Sequence, residues 1–224
     1  MTRVLAFAAF IGVSLHAEPL ADILARMDRA AKDFKSMTAK ITQTEYTAVI
    51  DEKKVSSGEV WLKRSKGLSI FREQFQEPEP QGIYFNGKQI IVYYPKANSA
   101  DIIDVTKYTS KLDIDKLLLL GFGTSGADLA RDYAVKSGGE ETLDGILTTR
   151  LELTPKSKNL LQYTTKIELW IPQGQSHAKQ IKATEPSKNY MMLNYSNIRI
   201  NPSLPDSEFE LKLPQSVHKN YPQR

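Results

Sequence analysis

The feature that most restricts this chain is a two-residue alternation of apolar and polar positions, carried by β-branched and aromatic residues and interrupted at short intervals by turn-forming ones. Successive side chains of an extended backbone face opposite ways, so such runs fit strands and not helices. Runs of this kind fall at 37–49, 55–64, 68–76, 81–86, 88–94 and 100–105, and again at 133–141, 146–154, 165–171, 178–184, 189–200 and 208–213. Asn86-Gly87 and Asp144-Gly145 suit tight hairpins because these residues tolerate positive φ. The connections are too short for parallel crossovers. The sheet is therefore predicted to be antiparallel, strongly twisted and curled toward a barrel.

Two segments change period. Leu20, Ile23, Leu24, Met27, Ala31 and Phe34 share one face at helical spacing, with Asp22, Arg26, Asp28, Arg29 and Lys32 opposite, which predicts an amphipathic helix over 19–34. Residues 107–120 read as a second helix ending at Gly121, and a short third runs from Ser125 or Gly126 to Asp132. No linker divides the chain, so 18–224 is expected to form one domain.

The first seventeen residues have the layout of a secretory signal: Arg3, an apolar run from Val4 to Leu15, and Ala17 ahead of Glu18 and Pro19. No later run approaches the ~20 apolar residues needed to span a bilayer. With 0 cysteines the chain has no disulfide, no thiolate ligand and no cysteine through which it could itself be lipidated. The formal net charge of +4, with both signs mixed along the chain, is too weak for nucleic-acid binding.

Catalytic constellations are hard to find. His177 and His218 lie far apart without ligand-type neighbours and read as solvated surface residues. Gly121-Phe-Gly-Thr-Ser-Gly126 matches the G-x-G-x-x-G spacing, but that motif binds a pyrophosphate only between a strand and a helix, and a helix precedes it here. The pairs Glu77 with Glu79 and Glu140 with Glu141 sit in polar, turn-like stretches where carboxylates stay solvated. No cofactor and no metal is expected.

What the chain has in excess is apolar surface. Ile83, Tyr84 and Phe85, and then Ile90 to Tyr94, are apolar without alternation, so both faces of those strands need cover. In the strand ending at Arg64, Val60 and Leu62 share its face. A guanidinium there needs acceptors, either carbonyls of a covering segment or water reached by snorkelling. The four leucines 117–120 exceed what one helical stripe can bury, and a greasy lid is one use for them.

Read together, Phe34-Lys-Ser-Met37, Ile41-Thr-Gln43, Gly58-Glu-Val-Trp-Leu-Lys-Arg64, Phe71-Arg-Glu-Gln-Phe75, Asn86-Gly87-Lys88, Tyr93-Tyr-Pro95, Leu151-Glu-Leu-Thr-Pro155 and Phe209-Glu-Leu-Lys-Leu-Pro214 resemble, in order, the LolA family of periplasmic lipoprotein carriers. The resemblance implies a mainly β fold with helices, an incomplete antiparallel barrel whose lid helices cover an apolar cavity for acyl chains. It makes Arg64 the residue that holds the lid shut, with Val60, Leu62, Phe71, Leu24, Met27, Leu117, Leu118 and Leu120 as the lipid-contacting and lid set. It also implies a monomeric, non-enzymatic shuttle, loaded by an inner-membrane ATP-driven lipoprotein-releasing complex and emptied at an outer-membrane receptor. This chain departs from the family pattern in Ser65, where proline is frequent, in Glu73, where an aromatic is common, and in a longer glycine-rich stretch after the lid helix. Two rival readings stay open: a carrier of a glycolipid or isoprenoid lipid, and a periplasmic regulatory sensor built on the same fold. An unrecognised hydrolase would need a nucleophile and base that the sequence does not display.

Overall fold

The computed structural model describes residues 18–65, 68–107 and 116–222. The proposed signal, residues 1–17, and most of the second expected helix, at 108–115, lie outside them. Helix α1 (Leu20–Asp33) leads into β1 (Ser36–Thr47), β2 (Glu52–Ser65), β3 (Leu68–Glu77), β4 (Gln81–Phe85), β5 (Gln89–Tyr94) and β6 (Ser99–Asp104). A 3-10 turn at Val105–Lys107 and a helical turn at 116–119 precede α2 (Gly126–Asp132). The chain then runs through β7 (Tyr133–Leu143), β8 (Ile146–Pro155), the one-turn α3 (Lys158–Leu161), β9 (Lys166–Pro172), β10 (Gln180–Thr184), β11 (Tyr190–Ile200) and β12 (His218–Asn220).

Among the described residues the twelve strands form one sheet in the order β12-β6-β5-β4-β3-β2-β1-β11-β10-β9-β8-β7. It does not close on itself, because its edge strands β12 and β7 are not paired with each other. The order follows from hairpins, with one long return that brings β11 beside β1 in register from Met37↔Ile200 to Tyr46↔Tyr190. Asp144 and Gly145 both adopt positive φ, 51° and 76°, between the paired Leu143 and Ile146, as the dipeptide requires. At Asn86-Gly87 only Gly87 does. Asn86 instead accepts hydrogen bonds on Oδ1 from the backbone of Lys88 and Gln89, so this hairpin has a longer loop than the primed turn the sequence predicts.

The expected last strand, 208–213, is not one. Asp206–Phe209 is a 3-10 turn, and the segment after it runs extended across the outer face of the sheet without ladder bonds. Its alternation reflects half-burial against that face, where Lys63 Nζ reaches Leu204 O at 2.6 Å and Arg72 Nη1 reaches Glu208 O at 3.0 Å. The last strand, β12, pairs with β6 in parallel, the exception to the expected antiparallel sheet. On the same outer face Arg72 lies over the rings of Trp61 and Tyr84 at 4.4 and 5.8 Å.

The inner face carries the core. Ile23 and Met27 of α1, Met37 and Ile41 of β1, Val60 and Leu62 of β2, Leu151 of β8 and Leu169 of β9 belong to one cluster, each at most 2% exposed. Each such side chain contributes roughly 1.5–3 kcal/mol of burial, which holds α1 on the sheet.

Candidate functional site

Arg64 is where the roof meets the sheet. It is the penultimate residue of β2, and its backbone N–H donates to Lys35 O at 2.8 Å, which ties the strand end to the exit of α1. Its side chain reaches two covering segments. Nη1 donates to Ala31 O at 2.9 Å in the last turn of α1, and Nη2 donates to Gly123 O at 2.7 Å in the turn after the 116–119 helix. Helix-end carbonyls lack intrahelical donors, and a cation at that end also answers the helix dipole. The guanidinium further lies 5.5 Å from the centre of the Phe34 ring.

The glycine-rich stretch lets this joint close. A Cβ on Gly123 would sit 2.6 Å from Phe34 Cδ1 and 2.9 Å from Leu119 Cδ2, and one on Gly126 would sit 2.3 Å from Leu24 O. Side chains there would push the turn and α2 away from α1. The G-x-G-x-x-G spacing thus records close helix contacts. Ser125 caps α2 by accepting from Asp128 N at 3.0 Å, and Ala178 N pins the turn by donating to Gly121 O at 2.7 Å.

The structure brings most of the expected set together. Val60, Leu62, Met27 and Leu120 are buried in the core, and Leu24, Phe71 and Leu118 pack half-buried against it. Leu117 stands apart, 44% exposed, on an outer groove of about 550 Å³ with Leu160 and Tyr163. Sequence reasoning missed Phe122, which fills the space under the roof turn and meets Tyr195 edge-on with ring centres 4.9 Å apart. It also missed α3, whose signal was the Ser157 N-cap accepting from Leu160 N. His177 is not solvated as expected: it is half-buried and stacks on Phe122 with centres 6.2 Å apart, and burial holds its pKa below the usual imidazole value.

With Arg64 engaged, the inner face beneath α1 and Phe122 is filled by side chains. Open space begins beside the latch, in a cavity of about 460 Å³ lined by Arg64, Leu119, Leu120, Gly123 and Tyr133, within the range of ligand sites. Its rim is charged. Asp132 is held down to about 2 by the hydrogen bond from Arg131 and then by Lys116. Within the inner face itself, Glu73 is 7% exposed and burial alone pushes its carboxyl up to about 7. Tyr195 is raised by burial first and by the Glu73 charge second. Among the described residues no group of His, Asp and Glu could hold a metal ion, and no helix is long and apolar enough to cross a membrane.

An open, mostly antiparallel sheet roofed by helices, with a largely apolar inner face, defines a class of folds built around a hydrophobic surface. The family model for LolA, the outer membrane lipoprotein carrier protein, matches residues 32–212, and the chain belongs to that family. An outer-membrane lipoprotein carrier protein of Ralstonia nicotianae is 29% identical over 164 residues, covering 72% of this chain and 67% of its own. Among solved structures, an uncharacterized conserved protein from Thermus thermophilus is similar in fold, with a TM-score of 0.54 at 13% identity over 90% of this chain and 98% of its own. MucB is similar at a TM-score of 0.51 and 14% identity over 86% of this chain and 62% of its own. The family is one of carriers and not of enzymes, and membership assigns this fold a lipoprotein-binding role.

Proposed function

We propose that the protein is exported to the periplasm, takes up the acyl chains of lipoproteins on the inner face of its sheet, and carries them from the inner to the outer membrane. The observation that carries this reading is the bridge from Arg64 to Ala31 O and Gly123 O, which fastens two roof segments over a largely apolar surface. In this shut state the surface is occupied by the protein's own side chains, so loading means displacing the roof and replacing those contacts with lipid.

The energetic need is large. One ~16-carbon chain exposed to water at ~0.8 kcal/mol per methylene costs ~12 kcal/mol, which makes unaided transfer between membranes very slow. A protein that swaps intramolecular apolar contacts for lipid contacts removes most of that cost. The energy for opening has to come from outside the carrier, which is the part given to an inner-membrane ATP-driven releasing complex. An outer-membrane receptor then removes the cargo as the roof closes. Arg64 sets the balance, since each hydrogen bond to a charged group is worth about 1.5–3 kcal/mol.

The test is a transfer assay. The mature chain is added to spheroplasts with ATP, and lipoprotein is followed into the soluble fraction and on to outer-membrane vesicles. The carrier reading expects soluble, protein-bound lipoprotein that vesicles then accept. Mass spectrometry of lipid held by the purified protein separates this from a glycolipid or isoprenoid carrier. A stable complex with an envelope protein and no cargo turnover would support the sensor instead.

A further inference from the structure

The inner face holds one charged residue that the carrier reading leaves without a task. Glu73 follows Phe71 and precedes Phe75 on the inner side of β3, paired in register with Val60 and Ile83. It is 7% exposed, and no described residue is hydrogen-bonded or ion-paired to its carboxylate. The same row continues through Val92 to Asp101 of β6. From Ser69 to Phe75 and across β4 to β6, the charged inner-facing residues are Glu73 and Asp101, both acidic. Asp101 is half-buried and accepts from Asn220 Nδ2 at 3.0 Å.

A carboxyl in apolar surroundings is costly unless it is neutralised or paired. Glutamine or methionine would fill the row without that cost. What a carboxylate offers beyond them is attraction for a positive charge, and among the described residues no lysine or arginine shares this part of the inner face to compete for it. The row Phe71, Phe85 and Ile90 runs alongside, half-buried except at Phe85, and supplies the surface for a chain attached to such a group.

We propose that Glu73 is a headgroup anchor: it receives an ammonium group on the amphiphile whose hydrocarbon lies along Phe71, Phe85 and Ile90. This rests on the carrier reading and names a chemical class for its cargo, an amphiphile with a free amine. The raised carboxyl, at about 7 when no cation is present, makes amine binding strongest above that value and weak well below it, because only the ionised form attracts the amine. Among the described residues, Tyr195 on β11 responds to the Glu73 charge, Asp101 of β6 ends the same row, and His177 stacks on Phe122, which meets Tyr195. Helix α1 turns Ile23 and Met27 to the sheet, while Arg26 and Asp28 bond elsewhere.

The experiment measures binding of dodecylamine and dodecanol, both below micellar concentration, to the mature chain by calorimetry at pH 7.5 and 5.5, with Glu73→Gln in parallel. The native chain is expected to bind the amine at least tenfold tighter than the alcohol at pH 7.5, and to lose that preference at pH 5.5. Glu73→Gln is expected to bring the amine down to the alcohol's level at both values. If that variant does not fold, the pH dependence of the native chain decides alone. Equal affinity for both ligands at pH 7.5, or a preference that survives in Glu73→Gln, overturns the anchor while leaving an apolar site in place. Binding of neither ligand overturns the anchor and the carrier reading with it.

Discussion

The two halves of the sheet are finished differently on the same inner side. Under α1 and the 120–122 turn, Ile41, Leu151 and Leu169 are at most 2% exposed and pack as one cluster with Met27 and Phe122. On β3 to β5, the inward Phe75 and Phe85 are buried, at 2% and 4%, but Phe71, Ile83, Ile90 and Val92 beside them are only half-buried, although they are as apolar as their counterparts. Apolar surface left partly open by a fold marks binding, whereas close packing marks stability. The first half therefore holds the shut state together, and the second already offers an apolar guest partly open surface. Arg64 sits at the junction, one strand away from β3.

The sharpest break of this contrast is in the packed half. Leu151→Ala should cost about 2–5 kcal/mol in urea unfolding, the usual range for a buried leucine, and should lower cargo transfer only in proportion to lost folded protein. A smaller loss would show that the packed half can collapse around a cavity.

Glu73→Gln should act in the opposite direction. The Glu73 carboxyl is raised from 4.5 to about 7 in the folded chain, so the folded state holds its proton more tightly. That stabilisation is fully present below about pH 4.5 and is lost as pH rises through about 7. At pH 8 the ionised carboxylate then burdens the native state by on the order of 3 kcal/mol relative to a neutral side chain. The glutamine variant should be more stable than the native chain at pH 8 and nearly equal at pH 4, as read from denaturation midpoints at both values. A gap independent of pH would exclude burial of the carboxyl.

Arg64→Leu removes both roof bonds and, at about 1.5–3 kcal/mol each, should shift the roof toward opening by about 3 kcal/mol or more, over a hundredfold in that equilibrium. The fold should persist, with release of lipoprotein to outer-membrane vesicles changed at least severalfold. Unchanged transfer would take Arg64 out of the mechanism. In the same assay Leu118→Glu, which puts a charge on a half-buried roof residue, should weaken uptake. The smallest effect on stability belongs to the open half: Ile90→Ala should cost about 1 kcal/mol or less, because the side chain is only partly buried, yet lower affinity for a twelve-carbon alcohol measurably. A loss as large as that of Leu151→Ala would erase the distinction between the halves.

The local half of this architecture is legible residue by residue. Period-two runs place β1 to β11 within a few positions, the Asp144-Gly145 turn is the primed hairpin it looks like, and the spacing of Ile23 and Met27 gives α1 and its buried face. Each of these depends on chain neighbours a few residues apart. The half-exposed alternation of 208–213 carried the same signal without a strand, because packing on a surface and pairing at an edge produce one pattern. Only the tertiary structure could distinguish them, and only it could place β12, whose three residues carry no pattern.

The candidate site divides the same way. Alternation put Arg64 on the face of Val60 and Leu62, and chemistry said that it needs acceptors. Which acceptors, Ala31 O and Gly123 O, depended on bringing together positions 33 and 59 residues away. Glu73 could be seen as an odd residue in an aromatic place, but its burial, and the raised carboxyl that burial alone causes, come from what the fold packs around β3. Hydrophobic periodicity is written in the order of residues because it answers to water; the partners of a buried charge answer to whatever the fold has carried alongside it.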